Sequence, residues 1–123
     1  DSINDFIFFH HLYAPDGIKS NFFYNVLIPI LGKLNFNYII RSKINLYTRK
    51  EKQLQHDFHI DQEKEHMVAL YSINTNNGST VFENGKKVSS IANQIIIFNG
   101  KLNHASCVQT DEQTRVNINI NFN

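Results

Sequence analysis

"TRVNININF", residues 114–122, alternates along its whole length: Val116, Ile118, Ile120 and Phe122 on one side, Arg115, Asn117, Asn119 and Asn121 on the other. Strict period-two alternation is the pattern of a strand with one apolar face. A polar face this regular is either solvated or the lining of a polar cavity. Upstream of it the chain reads as short segments separated by turn signals. "RSKINLYT" (41–48) alternates, with Ser42, Ile44 and Leu46 opposite Arg41, Lys43, Asn45 and Tyr47. "HMVALYSIN" (66–74) is followed by "TNNG", expected as a turn, and "STVFE" runs into Asn84-Gly85. That dipeptide is a strong hairpin signal, because both residues tolerate positive φ. "KVSSI", "NQIIIF", a second Asn-Gly at 99–100 and "NHASCVQ" complete the run. With the segment around "FHID" this makes about eight strands at roughly 8–12-residue spacing, the expectation for a sandwich, barrel or jelly roll.

The first third is different. "GIKSNFFYNVLIPILGKL" (17–34) puts Ile18, Phe22, Val26, Ile30 and Leu34 on one stripe, at helical spacing. Pro29 lies inside it and would cost about 3 kcal/mol in an unbroken helix, so the helix is predicted to end or kink near Leu27. "DFIFFHHLY" (5–13) is too short and too uniformly apolar to assign by period. Its adjacent His10 and His11 point to opposite faces of an extended chain and are expected to be surface or packing residues.

The 123 residues fit one domain, 1–123, with residues 1–35 as N-terminal helical support and 40–122 as the β core. Hydrophobic residues make up 41% and charged residues 19%, an ordinary globular composition. A net charge of +1 gives no bulk electrostatic case for nucleic acid or an anionic membrane. "VLIPIL" (26–31) and "IIIF" (95–98) are far too short to span a bilayer, and no secretory signal is visible. The single Cys107 excludes an internal disulfide and fits a reducing, cytoplasmic setting. The first residue is Asp1, so a native N-terminal segment is expected to be missing.

Chemistry concentrates in "HDFHID" (56–61). In an extended segment His59 and Asp61 share one face and can chelate one ion, a borderline N/O pair suited to a divalent first-row metal. His104 follows far downstream at the start of the penultimate strand, and Arg115 opens the last one. His-x-Asp early in a run of about eight strands, His on the seventh and Arg on the eighth is a specific order. It resembles the Fe(II)/2-oxoglutarate-dependent oxygenases, especially their prolyl-4-hydroxylase-like branch, which includes small versions from phages and marine viruses. The resemblance runs from about Ile40 to Phe122.

That resemblance implies a double-stranded β-helix, a mainly β, cupin-like jelly roll, with the N-terminal helix packed on one sheet. It implies that His59, Asp61 and His104 are the catalytic metal ligands. Two histidines and a carboxylate hold one face of an octahedral Fe(II). The family's co-substrate 2-oxoglutarate takes two of the open positions and dioxygen the third, with release of succinate and CO2 as a C–H bond is hydroxylated. Arg115 would anchor the far carboxylate of 2-oxoglutarate with its planar fork, assisted by Asn117 on the same face. Asn45 and Tyr47 look like the Asn-x-Tyr motif of some relatives. Either Tyr71 or Ser72 would face the co-substrate, since a one-residue shift exchanges the faces.

Three readings stay open: the dioxygenase, a metal-binding jelly roll without oxygenase activity, and a structural jelly roll such as a viral coat component. The resemblance favours a peptide substrate, such as a prolyl residue, over nucleic acid, with no membrane partner and a cytoplasmic location (the host's, if viral). The polar loop from Arg49 to Gln55 precedes the motif and is expected to reach the substrate at the mouth of the site.

Overall fold

The computed structural model describes residues 7–123. Its centre is β9 (Thr114–Phe122), the strand whose alternation is cleanest. β3 (Ile39–Thr48) lies on one side of it and β4 (Met67–Ser72) on the other, all antiparallel. β1 (Phe8–Ala14) and β2 (Gly17–Ile18) extend the sheet beyond β3, and β7 (Gln94–Asn99) closes the far edge, in the order β2-β1-β3-β9-β4-β7. A second sheet has the order β6-β5-β8, from β5 (Asn76–Phe82), β6 (Lys87–Ser90) and β8 (His104–Cys107). The architecture is the expected double-stranded β-helix, mainly β and antiparallel.

The segment carrying "HDFHID" is no regular strand. It runs beside β8 as a broken fourth member of the second sheet, joined by isolated bridges Gln55–Cys107 and His59–His104. Between those bridges the register slips by one residue, as in a β-bulge.

The outward, apolar side of β9 meets the helical segment. A π-helical turn, Phe23–Leu27, passes directly into α1 (Ile28–Leu31). Leu27, Leu31 and Leu12 form one buried cluster with Ala69, Ile118, Ile120 and Phe122. Each leucine, isoleucine or phenylalanine among them contributes roughly 1.5–3 kcal/mol when fully buried. Pro29 does not break the helix. It sits in the first turn of α1, where no N–H is needed, and the wider turn before it, with Ile28 N–H donating to the Phe23 carbonyl, absorbs the change of register.

Several local expectations change. Within the helical pattern over 17–34, expected to end or kink near Leu27, helix covers Phe23–Leu31 and changes from π to α after Leu27, and the segment before it is the strand β1, paired with β3. Residues 1–6 of the expected helical support lie outside the described residues. "TNNG" is not a turn: Asn76 to Gly78 belong to β5, whose pairing with β6 is bulged there. At the β5–β6 hairpin only Gly85 takes positive φ, +92°, so the loop is not the two-residue type in which both central residues are left-handed. The Asn99-Gly100 turn carries the chain from one sheet to the other rather than closing a hairpin. Among the described residues no helix is long and apolar enough to cross a membrane.

Candidate metal centre

Backbone pairing brings the first two donors together. His59 and His104 are directly opposite across an antiparallel bridge, exchanging two N–H···O bonds of 3.0 Å. Opposed side chains on one face lie close, and here the ring centroids are 4.6 Å apart. Asp61, two residues beyond His59, adds a carboxylate to that face. Its Oδ1 lies 3.4 Å from His59 Nε2 and 3.5 Å from His104 Nε2. All three donor atoms lie within 4.8 Å of one another. An ion bonded at about 2.0–2.2 Å needs neighbouring donors about 3 Å apart, so small side-chain rotations would close the set.

Each imidazole is oriented from behind. His59 Nδ1 donates to the Asp57 carbonyl at 3.2 Å, and His104 Nδ1 donates to the Leu102 carbonyl at 2.9 Å. A carbonyl only accepts, so both Nδ1 atoms carry hydrogen and both Nε2 atoms turn towards Asp61. Fixing the far nitrogen this way is how metal-bound histidines are usually held. Asp61 is held as well. Its Oδ2 accepts from Asn121 Nδ2 at 2.8 Å and Asn119 Nδ2 at 3.2 Å, which leaves Oδ1 for the histidines. Burial pushes the Asp61 carboxyl up, but hydrogen bonds from His104, His59 and Asn121 outweigh that and hold it well below the usual carboxylate range. In return the Asp61 carboxylate raises the His59 imidazole above its ordinary value, against a smaller opposing effect of burial. With each Nδ1 tied back to a carbonyl, loss of the Nε2 protons that now face Asp61 leaves two ring lone pairs and a carboxylate oxygen converging, a donor set that fits a divalent ion.

The three residues line a cavity of about 110 Å³ between the two sheets. Asn45, Tyr47, Asn117 and Asn119 form part of its wall, with Lys43 and His56. Asn45 Nδ2 donates to Asn117 Oδ1 at 3.1 Å, while Asn45 Oδ1 has no partner. Tyr47 and Ser106 share a hydroxyl–hydroxyl hydrogen bond of 2.8 Å.

Arg115 departs from its expected arrangement. It shares a face with Asn117 but does not line the cavity. It is 1% exposed, and its guanidinium lies 4.8 Å from the centre of the Tyr47 ring. Three of its five N–H donors go to neutral oxygens: Ser90 Oγ, the Cys107 carbonyl and the Ser79 carbonyl. Among the described residues no carboxylate pairs with it. Burial pulls its pKa down, with weaker opposing effects from Tyr47 and Cys107. Gly78 makes room for it, since a Cβ there would lie 2.8 Å from Arg115 Cδ. A buried guanidinium without an acid is costly unless an anion reaches it.

Other expectations resolve by position. Tyr71 lies on the outer face, donating to Asn93 Oδ1 at 2.7 Å beside the helical segment, whereas Ser72 is buried. The Arg49–Gln55 loop does not border the metal cavity. It docks on residues 109–113 through Arg49 N–H to the Gln113 carbonyl and Lys50 N–H to the Gln109 carbonyl, and lines a hollow of its own. His10 bonds Ser20, and His11 packs edge-on against Phe9, as surface histidines do. Sequence reasoning missed Asn119 and Asn121 as supports of Asp61. Their signal was the asparagine-rich face of β9, whose partner lies about sixty residues away.

No family model and no curated protein matches the sequence. Solved structures do match the fold. An oxidoreductase of the 2OG-Fe(II) oxygenase family from Burkholderia pseudomallei aligns with a TM-score of 0.70 at 11% identity, over 98% of this chain and 70% of that one. A prolyl hydroxylase from Trichoplax adhaerens, solved with a hypoxia inducible factor peptide fragment, aligns with a TM-score of 0.62 at 14% identity. That match covers 98% of this chain and 65% of the hydroxylase. An RmlC-like cupin protein from Desulfovibrio desulfuricans gives 0.51 at 9% identity, over 71% and 76%. At these identities the likeness is one of fold.

Proposed function

We propose that this chain is an Fe(II)- and 2-oxoglutarate-dependent dioxygenase, with His59, Asp61 and His104 as its metal ligands. The observation that carries this is the donor set itself: two imidazoles with Nδ1 tied to backbone carbonyls, and one carboxylate oxygen left open between them. Iron with 2-oxoglutarate and dioxygen supplies the oxidation of a C–H bond, releasing succinate and CO2. This chain's own residues hold, orient and exclude water. Asn119 and Asn121 hold Oδ2 of Asp61, so that the carboxylate is presented through Oδ1. Arg115 is the counter-charge for the far carboxylate of the co-substrate. Tyr47 and Ser106 offer hydroxyls on the way to it, and the Asn45–Asn117 amide pair lines the path. The fold likeness to a prolyl hydroxylase supports a peptidyl substrate, such as a prolyl residue.

A second reading, a metal-binding jelly roll without oxygenase activity, is favoured by one observation. The guanidinium of Arg115 already commits three of its five N–H donors to Ser79, Ser90 and Cys107. The test is an anaerobic titration of metal-free protein with Fe(II) and then 2-oxoglutarate, followed by the visible metal-to-ligand charge-transfer band. The dioxygenase gives a band that Arg115→Ala loses at the same 2-oxoglutarate concentration. Iron uptake without the band selects the second reading, and no uptake of Fe(II) rejects both.

A further inference from the structure

Lys43 has no part in the reading above, yet it lines the same cavity as His59, Asp61 and His104. It belongs to the inward face of β3, in register with Asn119 of β9. The side chain is half-buried, and its ammonium lies 5.2 Å from the centre of the Phe9 ring. Among the described residues it makes no ion pair and no hydrogen bond. Burial lowers its pKa, Arg41 adds to that, and Asp61 alone opposes. The neighbouring His11 is also held down, first by burial and then by Lys43 and Arg41. Two cations, Lys43 and Arg41, thus act on this side of the cavity, with His11 opposite Lys43 in the β1–β3 register.

The charges do not balance without a further anion. With a divalent metal bound, the one carboxylate of Asp61 is committed to that ion. Of the two carboxylates of a bound 2-oxoglutarate, one would go to the metal and the other to Arg115. Lys43 is left at the mouth without a counter-ion. A cavity of about 110 Å³ is small against the roughly 300–1,000 Å³ of typical ligand pockets, so a peptide meets the site at that mouth. We propose that Lys43 is an anion-binding residue for the primary substrate: a peptide whose acidic or phosphorylated side chain sits on Lys43, beside Phe9, while a neighbouring C–H faces the metal. A compact ammonium accepts either anion. The proposal rests on the metal-centre reading.

The test uses protein loaded with Mn(II) and saturated with 2-oxoglutarate under nitrogen. Acetyl-aspartate amide, acetyl-phosphoserine amide and the neutral acetyl-asparagine amide are titrated in turn. Paramagnetic broadening of their proton signals, and of the phosphorus signal, reports approach to the metal. We expect broadening by at least one acidic probe, reduced at least tenfold in both Lys43→Met and Lys43→Gln, and none by the neutral probe. Which acidic probe responds tells a carboxylate from a phosphate. Equal broadening in the variants, broadening by the neutral amide, or none by either acid overturns the proposal. So does a tenfold loss of 2-oxoglutarate affinity in Lys43→Met, which would assign the lysine to the co-substrate. Failure of Mn(II) to bind, read from its unchanged free-ion resonance signal, would reject the metal centre itself. Bound Mn(II) with probes indifferent to Lys43 rejects this inference alone.

Discussion

Asn121 controls which oxygen Asp61 turns towards His59 and His104. It is 1% exposed, and its amide holds Asp61 Oδ2 at 2.8 Å. Removing such a support usually costs 10–100-fold in metal affinity. Asn121→Ala should therefore weaken Co(II) binding by about that factor, measured by calorimetry, while Asp61→Ala abolishes it. A loss of affinity below threefold for Asn121→Ala would deny the amide its role. Protons compete for the same site. His59 has its pKa raised above the ordinary 6.5, and a bound metal must displace its proton. Metal affinity should fall as pH drops through that raised value. In the metal-free protein the His59 contribution to stability is fully present below pH 6.5 and is lost as pH rises through the folded value. Asp61 acts in the opposite sense: its depressed pKa stabilises above the ordinary 3.8, and that contribution is lost as pH falls. Urea midpoints against pH for wild type and His59→Gln would separate the two, the variant losing the His59 contribution and keeping an acid limb that His104 and Asn121 support.

Among the elements, β9 and β5 act as a pair around Arg115. Gly78 lies in the bulged part of β5, and a Cβ there would come within 2.7 Å of Asn76 Oδ1 as well as 2.8 Å of Arg115 Cδ. Gly78→Ala should displace the guanidinium and weaken 2-oxoglutarate binding at least tenfold, with Fe(II) uptake changed far less. The charge-transfer titration reads both. The sequence made β9 legible because its two faces do different work: Ile118 and Ile120 are core, while Asn117, Asn119 and Asn121 turn inward. His59 and Asp61 could be nominated from their i, i+2 spacing, and His104 only from its place in the strand order that carries the family resemblance. β1 was not legible. Phe8, Phe9, His10 and His11 carry no period, because the strand lies near a sheet edge with its outer residues exposed. Lys43 and the Asp61 supports were hidden for another reason. Their meaning depends on cross-strand partners that no local pattern encodes.

The whole molecule separates support from chemistry on the two sides of one sheet. Leu27 and Leu31 press on Ile118 and Ile120 from outside, and the donor cavity opens on the inside. Leu27, fully buried, should cost about 2–5 kcal/mol when cut to alanine, seen as a lower Tm, with Co(II) affinity within about threefold of wild type. A large loss of affinity would mean that the cover and the cavity are mechanically coupled. The two sides also differ in how firmly the chain is tied. His104 and Asn121 stand on paired strands, but His59 sits half-exposed on a segment fastened to β8 by two isolated bridges. Local opening starts where backbone pairing is sparse. A bound ion would then act as a buckle, cinching a loose strap of chain to a finished frame. Loading with Zn(II) should slow amide exchange at His56 and His59 far more than at Ile118 or Ile120, so the protein would carry in its own exchange pattern a record of whether the buckle is fastened.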